Sequence, residues 1–215
     1  MAVAGYQILL DGLVRTLLLS VSCIIISLCI GVLIGIMQTS KQSVIRSVAK
    51  GYSELFRGLP IVITLFLVFF ILPEAGIEVN SYISAMIGLS LWSSANISVA
   101  VRGAIQSISP TQVEASMALG LSGLQTMRYV ILPQAFRRML PSVIGLLSNL
   151  IQTTSLSILI GNLDLLKSAQ ILIERVEIME GGAIAFQVYS LVLIVYFIIC
   201  YPLSLLSRKM EKKLA

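Results

Sequence analysis

Five charge-free runs divide the chain: Thr16 to Ser40, Gly58 to Pro73, Val79 to Val101, Met139 to Leu163 and Gly181 to Ser207. A helix rises about 1.5 Å per residue, so crossing a hydrocarbon core takes roughly 20 residues, and four of the runs are long enough. The second has 16 residues. It still counts as a span, because its neighbours otherwise end on the wrong sides of the membrane, and tilt or local thinning absorbs the mismatch. The pattern predicts spans over about 12–38, 56–73, 81–103, 136–160 and 183–207 in a single transmembrane domain covering 1–215. One polar stretch, 109–133, breaks the apolar sequence, and segments 74–80 and 161–182 join spans on the opposite side.

Local signals in 109–133 predict two short helices. Ser109 suits an N-cap, Pro110 the first helical position, and Gln112 would complete a capping box. Gly120 supplies a left-handed residue to end the first helix near Leu119. Ser122 and Gln125 repeat the capping pattern, and Pro133 predicts a break before the next span begins near Gln134. Downstream, 166–178 carries helical apolar spacing at Leu166, Ala169, Ile173 and Val176, which predicts a short helix lying on the membrane surface.

Composition agrees with a lipid environment. The chain is 57% hydrophobic and 12% charged, against about 25% charged for a soluble domain. Its mean hydropathy is +0.98. With the N-terminus outside and the C-terminus cytoplasmic, the inner segments hold Lys41, Arg46, Lys50, Arg57, Arg102, Arg128, Arg137, Arg138, Arg208, Lys209, Lys212 and Lys213. Only Arg15, Lys167 and Arg175 then lie outside, a 12 to 3 bias in the direction that sets topology. The net charge of +5 is thus a topology signal and implies no nucleic-acid partner. The first apolar run is too long for the core of a signal peptide and has no basic stretch before it, so it reads as a retained span.

Absences narrow the chemistry. The sequence has no His, no Walker A loop and no paired carboxylates within a predicted span, so it lacks the residues for metal catalysis, ATP hydrolysis or an acidic proton relay. We expect a non-catalytic chain with no cofactor or metal of its own. Cys23, Cys29 and Cys200 sit in apolar runs and read as small hydrophobes.

Polar residues inside the spans are the candidate chemistry. Ser148, Asn149, Gln152, Thr153, Thr154, Ser155 and Ser157 cluster in the fourth, with Ser148, Gln152 and Ser155 on one helical face. They serve either as a substrate pathway or as helix-helix glue; Asn and Gln are larger than close packing needs. In the third span Trp92 and Asn96 are four residues apart, although a lone Trp also suits interfacial anchoring. The 109–133 hairpin itself has three readings: a connector, a docking element, or a DNA-reading helix-turn-helix, for which only Gln125 and Arg128 after the turn could reach base edges.

The residues of that hairpin carry a resemblance. Glu114-Ala115-Ser116, Gly120 and Val130-Ile131-Leu132-Pro133 resemble the EAA loop of ABC-type import permeases, with the family's spacing throughout; Ser116 and Val130 are conservative departures. Glu54 to Pro60, Arg102 to Ile108 and Thr154-Ser155-Leu156 also resemble polar amino-acid permeases. The resemblance covers roughly 8–210 and implies an all-α type I importer permease fold of about five transmembrane helices in a bacterial inner (cytoplasmic) membrane.

In that family two permease subunits, the same or homologous, form the pathway between membrane lipid, two ATP-binding subunits carry ATP and Mg, and an extracytoplasmic binding protein delivers the amino acid. The resemblance assigns ATPase coupling to Glu114, Ala115, Ser116, Gly120, Leu132 and Pro133. It leaves the pathway to Trp92, Asn96, Ser148, Asn149, Gln152, Thr153 and Ser155. Outside segments 74–80 and 164–182, with Asp164, Lys167, Glu174, Arg175, Glu177 and Glu180, would receive the binding protein. Where many relatives carry Lys-Asp or Lys-Glu before Thr-Ser-Leu this chain has Gln152 and Thr153, and where many carry an acid in the third span it has Val99. The acidic positions are thus neutral here, which implies an uncharged or acidic amino acid. Two other classes answer to the same hydropathy. A secondary transporter calls for an internal repeat that five spans do not divide into, and a non-transporting membrane assembly protein would bind no ATPase.

Overall fold

The computed structural model describes residues 2–181 and 183–214; Gly182, the last residue of the predicted 161–182 segment, lies outside them. Helices follow in the order α1 (Ala2–Met37), α2 (Ser43–Gly58), α3 (Ile61–Glu74), α4 (Ser81–Gln106), α5 (Pro110–Ala118), α6 (Gly123–Thr126), α7 (Leu132–Thr153), α8 (Leu165–Glu180) and α9 (Ala185–Leu214). A π-helical turn, Met127–Ile131, joins α6 to α7, and a 3₁₀ segment, Thr154–Ile160, extends α7. Gly5–Met37, Ser81–Gln106, Gly123–Ile160 and Ala185–Lys213 are each long and apolar enough to cross a membrane. The pair α2 and α3 passes the same test only when taken together, and it is bent by 103°.

That bend revises the predicted 56–73 span, whose first residues belong to a different helix. Pro60 forces its predecessor into extended geometry. Leu59, at φ −84° and ψ 136°, accordingly ends α2, and Pro60 opens α3. Pro133 departs from expectation in the opposite sense. No break follows it. The Leu132 N–H reaches back to the Met127 carbonyl across a π turn, and Pro133 falls in the first turn of α7, where its missing N–H is harmless. One continuous helical run therefore connects Gly123 to Ile160.

Small residues set how closely the spans approach. On α1, Gly31 and Gly35 lie so near α4 that a Cβ would stand 2.9 Å from the Ser94 carbonyl and 2.8 Å from that of Ser98. Such seams replace the hydrophobic drive that lipid cannot supply between helices. Hydroxyls and one amide complete the seam. Gln38 Nε2 donates to Ser53 Oγ at 2.6 Å and Ser98 Oγ at 3.1 Å, and the two serines are 2.7 Å apart. This fully buried knot fastens the end of α1 to α2 and α4.

At the other end of α1, Gly12 packs so closely on α8 that a Cβ there would clash with Ser168. Asp164 caps α8, accepting from the Lys167 N–H at 2.8 Å, and Gly181 ends it at φ 63°. Leu165, Ala169 and Ile173 are buried with Leu9, Val188 and Val192. The predicted surface helix over 166–178 thus turns its apolar stripe to α1 and α9, not to lipid.

Candidate functional site

The hairpin between α4 and α7 is built by its caps and locked to the bundle. Ser109 accepts from the Thr111 N–H at 3.3 Å. Its expected capping box does not form, because Gln112 instead accepts from Gln134 Nε2 of α7 at 2.6 Å. The second box does form: Ser122 Oγ receives the Gln125 N–H at 3.4 Å, and the Ser122 N–H donates to Gln125 Oε1 at 2.8 Å. Between them Gly120 takes φ 81°, the left-handed region that a residue with a Cβ resists.

Three further ties fix this unit. Arg138 of α7 donates to the Ser107 carbonyl at 2.6 Å and to Ser107 Oγ at 3.0 Å. Ser116 Oγ lies 2.9 Å from Thr126 Oγ1, across the turn. Val113 and Met127 pack on the cluster containing Ile97, Val101, Ile105, Ile108, Ile131 and Ala135. The hairpin is thereby bonded to α7 through Gln134 and packed on both flanking spans, whose ends Arg138 ties together.

The positions to which the resemblance assigns coupling divide into two groups. Glu114, Ala115, Gly120 and Pro133 are exposed. Ser116 is buried against Thr126, and Leu132 is half-buried against the core, so both help to hold the hairpin's shape. Sequence reasoning missed the apolar surface beside the turn, where Met117 is 45%, Leu119 83% and Leu124 80% exposed. The signal was available, since large aliphatics next to a turn glycine in a polar segment have no core to enter.

Polar residues within the spans also separate. Trp92 and Asn96 lie half-buried on one stripe of α4, with Val99 half-buried and Gly103 exposed along it. Asn96 Nδ2 donates to the Trp92 carbonyl at 2.9 Å, and Asn96 Oδ1 accepts from Arg57 Nε at 3.3 Å. On α7, Asn149 and Gln152 are exposed and Thr153 half-buried, its Oγ1 2.7 Å from the Asn149 carbonyl. Ser155 is half-buried and spends its hydroxyl on the Gln152 carbonyl at 2.7 Å.

Ser148 does not share this surface. It is buried against α9, with its Oγ 3.1 Å from the Cys200 carbonyl and 3.2 Å from Ser204 Oγ, and so acts as interhelical glue. Nor does Ser155 keep the i, i+7 alignment with it, because the chain tightens to 3₁₀ at Thr154. Among the described residues no hydrogen bond joins the α4 stripe to the α7 group.

Asp164 is the most constrained ionisable group at the α8 end. It is fully buried, and its Oδ2 has no hydrogen-bond partner. Burial raises its carboxyl to about 6, against the lowering effect of the Lys167 and Leu166 N–H groups. Among the described residues no cluster of His, Cys, Asp and Glu could hold a metal ion.

Residues 27–214 match the family described as "Binding-protein-dependent transport system inner membrane component". The chain is 36% identical over 209 residues to the glutamine transport system permease protein GlnP of Escherichia coli (strain K12), covering 96% of this chain and 93% of that one. Among solved structures, an amino acid ABC transporter crystallised with histidines matches with a TM-score of 0.85 at 27% identity, over 99% of this chain and 96% of that one. The MetNI methionine ABC transporter in an inward-facing conformation shares the fold, with a TM-score of 0.72 at 19% identity over 95% and 97% of the two chains.

Proposed function

Because the chain belongs to the binding-protein-dependent transport system inner membrane components, as an amino-acid ABC importer permease, we propose that it forms half of a translocation pathway and is driven by a separate ATPase through 109–133. The observation that carries this reading is the hairpin. Gln112 bonds it to Gln134 of α7, Val113 and Met127 pack it on the cluster shared by α4 and α7, and Ser116 meets Thr126 across its turn, yet it presents Glu114, Met117, Leu119 and Leu124 outward. A segment held that rigidly transmits displacement, and aliphatics that exposed require a partner to cover them. ATP and Mg would be held by the ATP-binding subunits, and an extracytoplasmic binding protein would deliver the amino acid to the outer segments.

The cargo is an uncharged or acidic amino acid, glutamine first, the substrate named for the Escherichia coli relative. Val99, Gln152 and Thr153 put no carboxylate on the candidate surfaces to pair with a cationic side chain. The test is reconstitution of this chain with its ATP-binding subunit and binding protein in liposomes. L-Glutamine should stimulate ATP hydrolysis and accumulate inside, whereas tight capture and uptake of L-arginine or L-lysine instead would overturn the specificity. Uptake that persists without an ATPase would favour a secondary transporter and overturn the coupling.

A further inference from the structure

The bend between α2 and α3 brings a cation to a depth where membrane proteins seldom keep one. Tyr52, Ser53 and Arg57 fix α2 against α4. The Tyr52 hydroxyl is 2.7 Å from Ser94 Oγ, Ser53 Oγ is 2.7 Å from Ser98 Oγ, and Arg57 Nε reaches Asn96. With 26 residues, α4 is about 39 Å long, and Asn96 lies about 4 Å from its midpoint. Arg57, exposed and counted by the charge pattern among the cytoplasmic cations, is therefore bonded to a residue near the middle of a helix long enough to span. A guanidinium cannot shed its charge and is costly against hydrocarbon, so at this depth it faces a polar route.

Asn96 orients this cation without neutralising it. Its amide nitrogen is committed to the Trp92 carbonyl, and its oxygen takes the Nε edge of Arg57. The terminal guanidinium nitrogens remain, a fork whose geometry matches a carboxylate. Every free amino acid carries an α-carboxylate whatever its side chain. We propose that Arg57, oriented by Asn96, receives the α-carboxylate of the transported amino acid as it passes the α4 stripe. This inference rests on the amino-acid transport reading above. It divides recognition in two, with a fixed cation for the common end of the substrate and the neutral α7 group for the variable one.

Glu54, one turn earlier on α2 and exposed, is the carboxylate best placed to compete, so it enters the test. The complex of this chain with its ATPase is placed in nanodiscs without the binding protein. Equilibrium binding is then measured for radiolabelled amino acids in turn, L-glutamine first. Arg57→Gln should weaken binding by about tenfold or more, the scale of a lost charge-assisted pair, and Arg57→Lys should recover part of it. Glu54→Gln should not weaken binding, and the decarboxylated amine should fail to compete with wild type. Arg57→Gln binding like wild type, Glu54→Gln reproducing its loss, or the amine competing as well as the amino acid would overturn the assignment. Failure of the fully reconstituted system, binding protein included, to take up any amino acid would instead overturn the transport reading itself.

Discussion

Gly120 gives the sharpest test of the hairpin, because a methyl group there probes backbone conformation alone. Nothing lies within 4 Å of the position a Cβ would take, and φ is 81°. In that region a side chain costs about 1–2 kcal/mol. Gly123, three residues on, is equally open but opens α6. Alanine there gains up to about 1 kcal/mol of helix propensity. The same methyl, added twice to one exposed turn, should therefore act with opposite signs.

If the turn relaxes to escape the strain, it gives up the Gly120 N–H bond to the Met117 carbonyl at 2.9 Å and that of Leu121 to Ser116 at 3.1 Å. A cost of 1–2 kcal/mol shifts the ratio of native to relaxed turn by about 5- to 30-fold. In proteoliposomes, Gly120→Ala should raise the ATPase concentration needed for half-maximal amino-acid-stimulated hydrolysis within that range, while Gly123→Ala should leave it unchanged. Gly120→Pro imposes a φ near −65° and deletes the N–H, so it should abolish coupling with the spans still inserted. Equal damage from the two alanines, or coupled uptake by the proline variant, would refute the hairpin as a shaped coupling element.

Three further outcomes are expected. Gly35→Leu places a Cβ 2.6 Å from that of Val101 and 2.8 Å from the Ser98 carbonyl; overpacking of about 1–3 kcal/mol should lower the thermal midpoint in detergent, while Gly51→Leu, in open space, should not. Leu119→Ser removes an aliphatic that docking would bury, worth about 1.5–3 kcal/mol, and should weaken assembly with the ATPase about 10- to 100-fold in a pull-down titration; unchanged assembly would remove it from the interface. For Asp164, whose carboxyl rises from 3.8 to about 6, the folded state holds its proton longer than the unfolded chain, so stability is lost as pH climbs from about 4 past 6. The full loss is about 3 kcal/mol, so the wild-type thermal midpoint should fall between pH 5 and pH 7.5 while that of Asp164→Asn stays level; parallel profiles would contradict the burial argument.

What was legible in the sequence is what short-range chemistry decides. The turn at Gly120 and the capping box of Ser122 and Gln125 need only their own neighbours, and both stand as expected. Gln112 had the same local credentials, but Gln134, 22 residues away, offered a closer partner. Ser148 illustrates the general limit within spans, since a hydroxyl reads alike as pathway or glue until a partner such as the Cys200 carbonyl is in view. Helical spacing over 166–178 located the stripe correctly but not its partners, which are Leu9 of α1 and Val188 and Val192 of α9. Arg57 stands directly before a charge-free run and so read as a span boundary, while its anchor, Asn96, lay on another helix.

The continuity of the helix from Gly123 to Ile160 has a mechanical consequence. A push on Leu124 at its exposed end travels along one helical axis, past the π turn at Met127–Ile131, to Asn149, Gln152 and Thr153. The run tightens to 3₁₀ directly after Thr153, where hydrogen bonding changes register and stiffness with it. Arg138 ties the same helix to Ser107, so α4 and its Asn96 stripe receive the displacement together with α7. At the far end α8 is held by α1 through Gly12 and Ser168. If the hairpin is the coupling element, as proposed, the Thr153–Thr154 junction is where the driven helix changes its hydrogen-bond register, beside Asn149, Gln152 and Thr153.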